Sequence, residues 1–146
     1  MPGDGASELR TCDGRRPVVA VIDANPATAA IVTMLAEQFG CQVHTERSAE
    51  AGLARLRQER RVDLVAIDFA VSDVDPFVAA QLIRMDGKHD ALPIIAIADA
   101  SDPNLVQSRR PVCFSRTLTR PYSPRELYAV LATALARTAE HALPLS

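Results

Sequence analysis

"PVVAVIDANPATAAIVTMLAEQFG", residues 17–40, contains the transition that decides the fold: a compact β-branched run stops at an aspartate and a capped helix begins at once. Residues 18–22 form a run of the kind that suits a strand buried on both faces. Asn25 can accept from the first free amides of a helix, and Pro26 fits its first position because the amide it lacks would be unpaired there anyway. Gly40 is placed to end it. Ala27, Ala30, Ile31, Met34 and Leu35 recur at helical spacing and predict the buried face.

The same unit repeats along the chain. "CQVHT" (41–45) predicts a second strand, Ser48 can cap a helix carrying Leu53 and Leu56, and "VDLVAI" (62–67) predicts a third strand that stops at Asp68. Beyond "FAVSDVD", Asp75 and Pro76 fit the cap and first turn of a helix bearing Phe77, Val78, Leu82, Ile83 and Met85. "PIIAIA" (93–98) predicts the fourth strand, followed by Asp99. "SDPNLVQSRRP" has few apolar positions and a closing proline, so its helix should be short, poorly held and mobile. "VCFSRTL" (112–118) predicts the fifth strand, and Ser123 with Glu126 forms a capping box around Pro124 for a last helix with Leu127, Val130, Leu131, Ala134 and Leu135 on one face. Five strands alternating with five helices through right-handed crossovers predict an α/β domain, a doubly wound parallel sheet covered on both sides.

At 146 residues, 48% hydrophobic and 23% charged, the chain suits one cored domain. Residues 17–138 should form it, with a disordered tail at 1–16 and a second tail at 139–146. The net charge of -2 carries no bias toward nucleic acid or anionic lipid, and the apolar runs are far below membrane-spanning length. With no apolar leader, the expected location is the cytoplasm. Cys12, Cys41 and Cys113 form no metal-like pairing, and Cys41 and Cys113 sit in apolar surroundings where packing is expected. His44, His89 and His141 are scattered and expected at the surface, and Arg109 and Arg110 at a solvated helix end.

In a doubly wound sheet the residues just past the strand C-termini line a common crevice. Asp23, Asp68, Asp99 and Arg120 all fall at that edge. Two carboxylates held close there repel each other and require a counter-charge, either a divalent metal or a basic side chain.

"VAVIDANPATAAIV", "VDLVAIDFAVSDVD", "LPIIAIAD" and "LTRPYSPREL", in this order and spacing, resemble the receiver domain of bacterial two-component response regulators over about residues 17–138. The resemblance implies a flavodoxin-like sheet of order 2-1-3-4-5. It further implies that Asp68 occupies the position phosphorylated by a histidine kinase, and that a Mg²⁺ ion would be held by Asp23, Asp68 and the carbonyl of Ala70. Against that pattern, Ala24 replaces an acid that ordinarily touches the metal, Ala98 replaces a phosphate-binding hydroxyl, Arg120 replaces a lysine, and Thr117 replaces an aromatic switch residue. With one carboxylate gone, Mg²⁺ binding is expected to be weak or absent. A guanidinium can grip a carboxylate through two hydrogen bonds, so Arg120 is expected to face Asp68, with Asp23 as a second candidate, in place of the metal. The Arg120–Pro121 bond is expected to be cis, as the family commonly has it there.

These features predict a pseudo-receiver: a non-enzymatic signalling module acting by protein docking, with Mg²⁺-dependent phosphorylation weakened or lost. The alternative is a working phospho-receiver with Asp68 as acceptor. An aspartyl-phosphate hydrolase would want an acid two residues past Asp68, where Ala70 stands, and a flavin site would want a phosphate loop that "DANPAT" does not supply. The expected partner is a histidine kinase or other signalling protein, not nucleic acid or membrane. A homodimer through the fourth helix, fifth strand and fifth helix is a further expectation, which exposed rings at Tyr122 or Tyr128 would favour.

Overall fold

A computed structural model describes residues 8–58, 61–89, 91–105 and 114–142. Strands β1 (Val18–Ile22), β2 (Gln42–Glu46), β3 (Leu64–Asp68), β4 (Ile94–Asp99) and β5 (Arg116–Arg120) form one parallel sheet of order β2-β1-β3-β4-β5. Helices α1 (Pro26–Gln38), α2 (Ala49–Gln58), α3 (Pro76–Met85) and α4 (Pro124–Ala142) cover it, with a 3₁₀ turn at Gly87–His89. The order and the parallel pairing are those expected of a doubly wound α/β fold. The described residues hold four α-helices rather than five. The short helix expected after β4 falls mostly on residues 106–111, outside the described residues, as do Cys113, Arg109 and Arg110.

The sheet separates two cores. One packs α1 and α4 against Val19, Val21, Leu64, Ala66, Ile95 and Ile97; the other packs α2 and α3 against Ala20, Ile22, Val65, Ile67, Ile94 and Ala96. Alternation along each strand sends successive side chains to opposite cores, which is why β1, β3 and β4 must be apolar without interruption.

Local chemistry sets the helix starts as the sequence implies. Asn25 accepts from Ala27 N at 2.8 Å, Asp75 accepts from Phe77 N at 2.8 Å, and Ser123 and Glu126 close a reciprocal capping box. Gly40 ends α1 with φ of +99°, and a side chain there would press on Arg10 and Glu8.

Several expectations are corrected by packing. On α1 the buried residues are Ala29, Val32, Leu35 and Ala36, while Ala27, Ala30, Ile31 and Met34 face outward. The helix carries apolar residues on several sides, so periodicity did not single out a face, and the buried one includes the small Ala29 and Ala36. On α3 the buried residues are Ala79, Ala80 and Ile83, leaving Val78, Leu82 and Met85 exposed. β5 starts at Arg116 rather than 112, and it runs through polar Thr119 and Arg120 because their backbones pair with Ala98 and Asp99.

Part of the expected N-terminal tail belongs to the fold. Leu9 is buried in the first core, its amide bonds Phe39 O at 2.7 Å, and Arg16 donates to the Gly40 and Cys41 carbonyls. One apolar side chain in a polar segment carries no periodicity, so no sequence pattern marks it. At the other end, α4 continues to Ala142, past the expected boundary at 138. His89 is buried, not at the surface: the 3₁₀ turn folds it back so that Nε2 lies 3.0 Å from the Leu56 carbonyl near the end of α2.

Candidate functional site

Three strand ends converge at one rim of the sheet. Asp68 is the last residue of β3, Arg120 the last of β5, and Asp99 the last of β4 between them; Asp23 follows β1 directly. Parallel pairing in register holds them together, since Asp68 pairs with Ile97 and Asp99 with Arg120. A cleft of about 140 Å³ opens here, lined among others by Asn25, Thr28, Asp68, Ala98, Asp99 and Arg120.

Asp68 is buried at 2% exposure, a position that demands compensation for its charge. One carboxylate oxygen, Oδ1, accepts from Ala70 N at 2.8 Å, and the other, Oδ2, is ion-paired with an Arg120 guanidinium nitrogen. The second terminal nitrogen of Arg120 donates to Asp99 Oδ1 at 3.1 Å. Arg120 thus bridges the ends of β3 and β4. The bridge to Asp68 is as the residue types imply, but the second carboxylate is Asp99, not Asp23.

Asp23, equally buried at 1% exposure, solves its charge locally. Its Oδ1 accepts from Asn25 N at 2.9 Å and its Oδ2 from the Thr28 hydroxyl at 2.6 Å. Sequence reasoning misses Thr28 as a site residue because a threonine early in a helix usually reads as neutral filler; its spacing of five residues from Asp23 is the available signal. Burial raises the Tyr122 phenol above its ordinary range, opposed by the Arg120 cation and reinforced by Asp23. The Arg120–Pro121 peptide before it is cis.

The residues as arranged do not fit a magnesium ion. Asp23 is taken up by Asn25 and Thr28, Asp68 Oδ2 is ion-paired with Arg120, Ala24 has no side-chain oxygen, and no group of three or more His, Cys, Asp or Glu side chains with metal-binding geometry occurs among the described residues. Ala98 lines the cleft wall without a donor, and Thr117 lies mid-strand in β5, half-buried.

Neither tyrosine is an exposed ring. Tyr122 and Tyr128 pack against the first core, and Tyr128 meets Phe39 edge-on at 5.1 Å between centroids. The large exposed apolar side chains among the described residues are instead Ile31 and Met34 on α1 and Val78, Leu82 and Met85 on α3. No helix among the described residues is long and apolar enough to cross a membrane.

Comparison with known proteins agrees with this architecture. Over 120 residues, 80% of this chain, the sequence is 30% identical to the sensor protein GacS of Pseudomonas syringae pv. syringae, and it spans only 13% of that protein's length. Similar solved structures include the chemotaxis response regulator CheY4 of Vibrio cholerae, at a TM-score of 0.74 and 20% identity, with 82% of this chain and 98% of that one covered. A signal receiver domain of an HD domain-containing protein from Pseudomonas fluorescens Pf-5 matches at 0.75 and 22% identity, covering 86% and 99%. At such identities these structures establish the fold alone. The model of the response regulator receiver domain matches residues 19–132, nearly the whole sheet and its helices, and the chain belongs to that family.

Proposed function

We propose that this receiver domain is a pseudo-receiver, in which Arg120 neutralises the Asp68 carboxylate in place of a metal ion and the signal passes by docking to a partner protein. The single observation that carries the reading is the Asp68–Arg120–Asp99 bridge, which occupies the carboxylate that a metal or phosphoryl group would use on β3. Asp68 remains the phosphoacceptor candidate by position. Transfer to it requires a cation to offset charge on the incoming phosphoryl oxygens, and the cation lining the cleft is already committed to two carboxylates. A histidine kinase or another signalling protein is the proposed partner, in the cytoplasm and without catalytic activity in this chain. A homodimer through the β5 and α4 face loses the tyrosine argument, because both rings are packed inward.

The second reading, a working phospho-receiver, has one observation in its favour. The Arg120 side chain is 20% exposed and its Asp99 partner 70% exposed, so the guanidinium could release Asp99 and turn onto a phosphoryl group. The test is exposure to Mg²⁺ with acetyl phosphate or beryllofluoride, read by intact mass and amide NMR. The expected result is no adduct and no shift at Asp23, Asp68 or Arg120, with both responses restored in Ala24→Asp/Arg120→Lys. A phosphoryl adduct at Asp68 in the unmodified chain would overturn the pseudo-receiver reading.

A further inference from the structure

Phe69 follows Asp68 directly, and its amide bonds the Ile97 carbonyl at 2.9 Å, so its backbone moves with the end of β3. Its ring meets two others: Phe77, the second residue of α3, at 5.5 Å between centroids, and Phe114, just before β5, at 5.7 Å. Phe77 and Phe114 are themselves 5.4 Å apart, edge to face. Three of the chain's four phenylalanines therefore close a triangle beside the candidate site, which one packing accident would not require. Phe114 is buried and anchors it, while Phe69 and Phe77 are half-buried at the rim where rings can shift.

The loop between β3 and α3 has little slack to absorb motion. Val71 N turns back onto the Asp68 carbonyl, Asp73 binds the first amides of α2, and Asp75 caps α3. A displacement of Asp68 is consequently passed to its neighbour Phe69, and close-packed rings transfer a shift rather than damp it. The element that receives it, α3, carries the exposed apolar row Val78, Leu82 and Met85.

From this we infer that the Phe69–Phe77–Phe114 triangle couples the state of the Asp68–Arg120 pair to α3. It deepens the proposed function and rests on it only for the role of Arg120 as the counter-charge of Asp68. Phe69 lines the cleft beside Asp68 and Phe77 stands outside that lining; both are positioning residues, acting through Asp68 and α3.

The test perturbs one end and reads the other. Arg120→Gln is made in the unmodified chain and in Phe69→Leu, and amide shifts are compared at residues 77–85 of α3 and, as an internal reference, at 124–135 of α4. The expected outcome is a set of α3 shifts in the unmodified background that falls by at least half in Phe69→Leu, with the α4 shifts unchanged. Equal α3 shifts in both backgrounds, or α3 silent to Arg120→Gln while α4 responds, would overturn the coupling. Should Phe69→Leu lose its dispersed spectrum, Phe77→Leu removes a ring at the other corner and is judged by the same two results; Arg120→Lys replaces the glutamine if that variant disorders the cleft. No metal or phosphodonor enters this measurement, so an Asp68 adduct in the phosphodonor experiment would leave its outcome unaffected.

Discussion

Removing Arg120 leaves Asp68 buried with a single amide for company, and the size of the resulting loss distinguishes a buried bridge from a decorative surface pair. Breaking a buried ion pair by deleting one partner costs about 3–5 kcal/mol, because the remaining charge is stranded. Here the Asp68 side chain is 3% exposed and Arg120 20% exposed, and Ala70 N still donates to Asp68, so the lower part of that range applies. Arg120→Gln should therefore cost about 3 kcal/mol, which in a chain of this length lowers the Tm by roughly 6–12 °C. Asp68→Asn should cost a similar amount. The double variant should cost clearly less than the sum, with a coupling of about 2 kcal/mol, since an amide facing an amide leaves no unpaired charge. Urea denaturation of the four proteins, checked for equal m-values, completes the cycle. A coupling below about 0.5 kcal/mol, the size expected of an exposed pair, would refute the claim that Arg120 is the built-in counter-charge of the cleft.

Three further outcomes follow from separate parts of the fold. A Cβ at Gly52 would stand 2.7 Å from Ile22 Cγ1 and closer still to its Cδ1, so Gly52→Ala should destabilise by about 1–3 kcal/mol through overpacking, and adding Ile22→Val, which removes Cδ1 but keeps Cγ1, should recover only part of it in thermal melts. Asp73 accepts from the Ala49 and Glu50 amides at the start of α2, and those bonds hold its carboxyl below the ordinary value of 3.8. Because the folded value is depressed, this stabilisation is complete above the unfolded value and disappears as pH falls through the folded one. Asp73→Asn should therefore cost about 0.5–1 kcal/mol at neutral pH and flatten the stability profile on the acid side, below about pH 5. The Cys41 thiol is buried and pushed up to about 11 by desolvation, so iodoacetamide at about pH 8 should label the exposed Cys12 well before Cys41, read by peptide mass; equal rates would mean the core around Cys41 opens readily.

The alternation of apolar runs with capped helices was enough to give the class of fold, the strand count and the rim at which the site forms. The reason is that these are local properties: a β-branched run buried on both faces, an Asn or Asp before a proline, and a capping box each act within a few residues. That Arg120 would face Asp68 was not a local property: the residues alone left the counter-charge open between a metal and a basic side chain, and the resemblance to receiver domains, which puts a basic residue at position 120, made the choice.

What tertiary structure decided are the matters of partner choice among residues of equal type. Asp99, not Asp23, takes the second arm of Arg120, because register sets β4 between β3 and β5 while Asp23 turns to Thr28 and Asn25. Val32 rather than Ile31 faces the core on α1, and Ile83 rather than Leu82 on α3, because helices apolar on several faces are oriented by fit against the sheet and not by their own periodicity. Leu9 joins the core, and three phenylalanines 8 and 37 residues apart meet beside Asp68, through contacts that no local pattern encodes. Residue chemistry limits which side chains can compensate a charge or fill a core; only the folded geometry determines which of them are within reach.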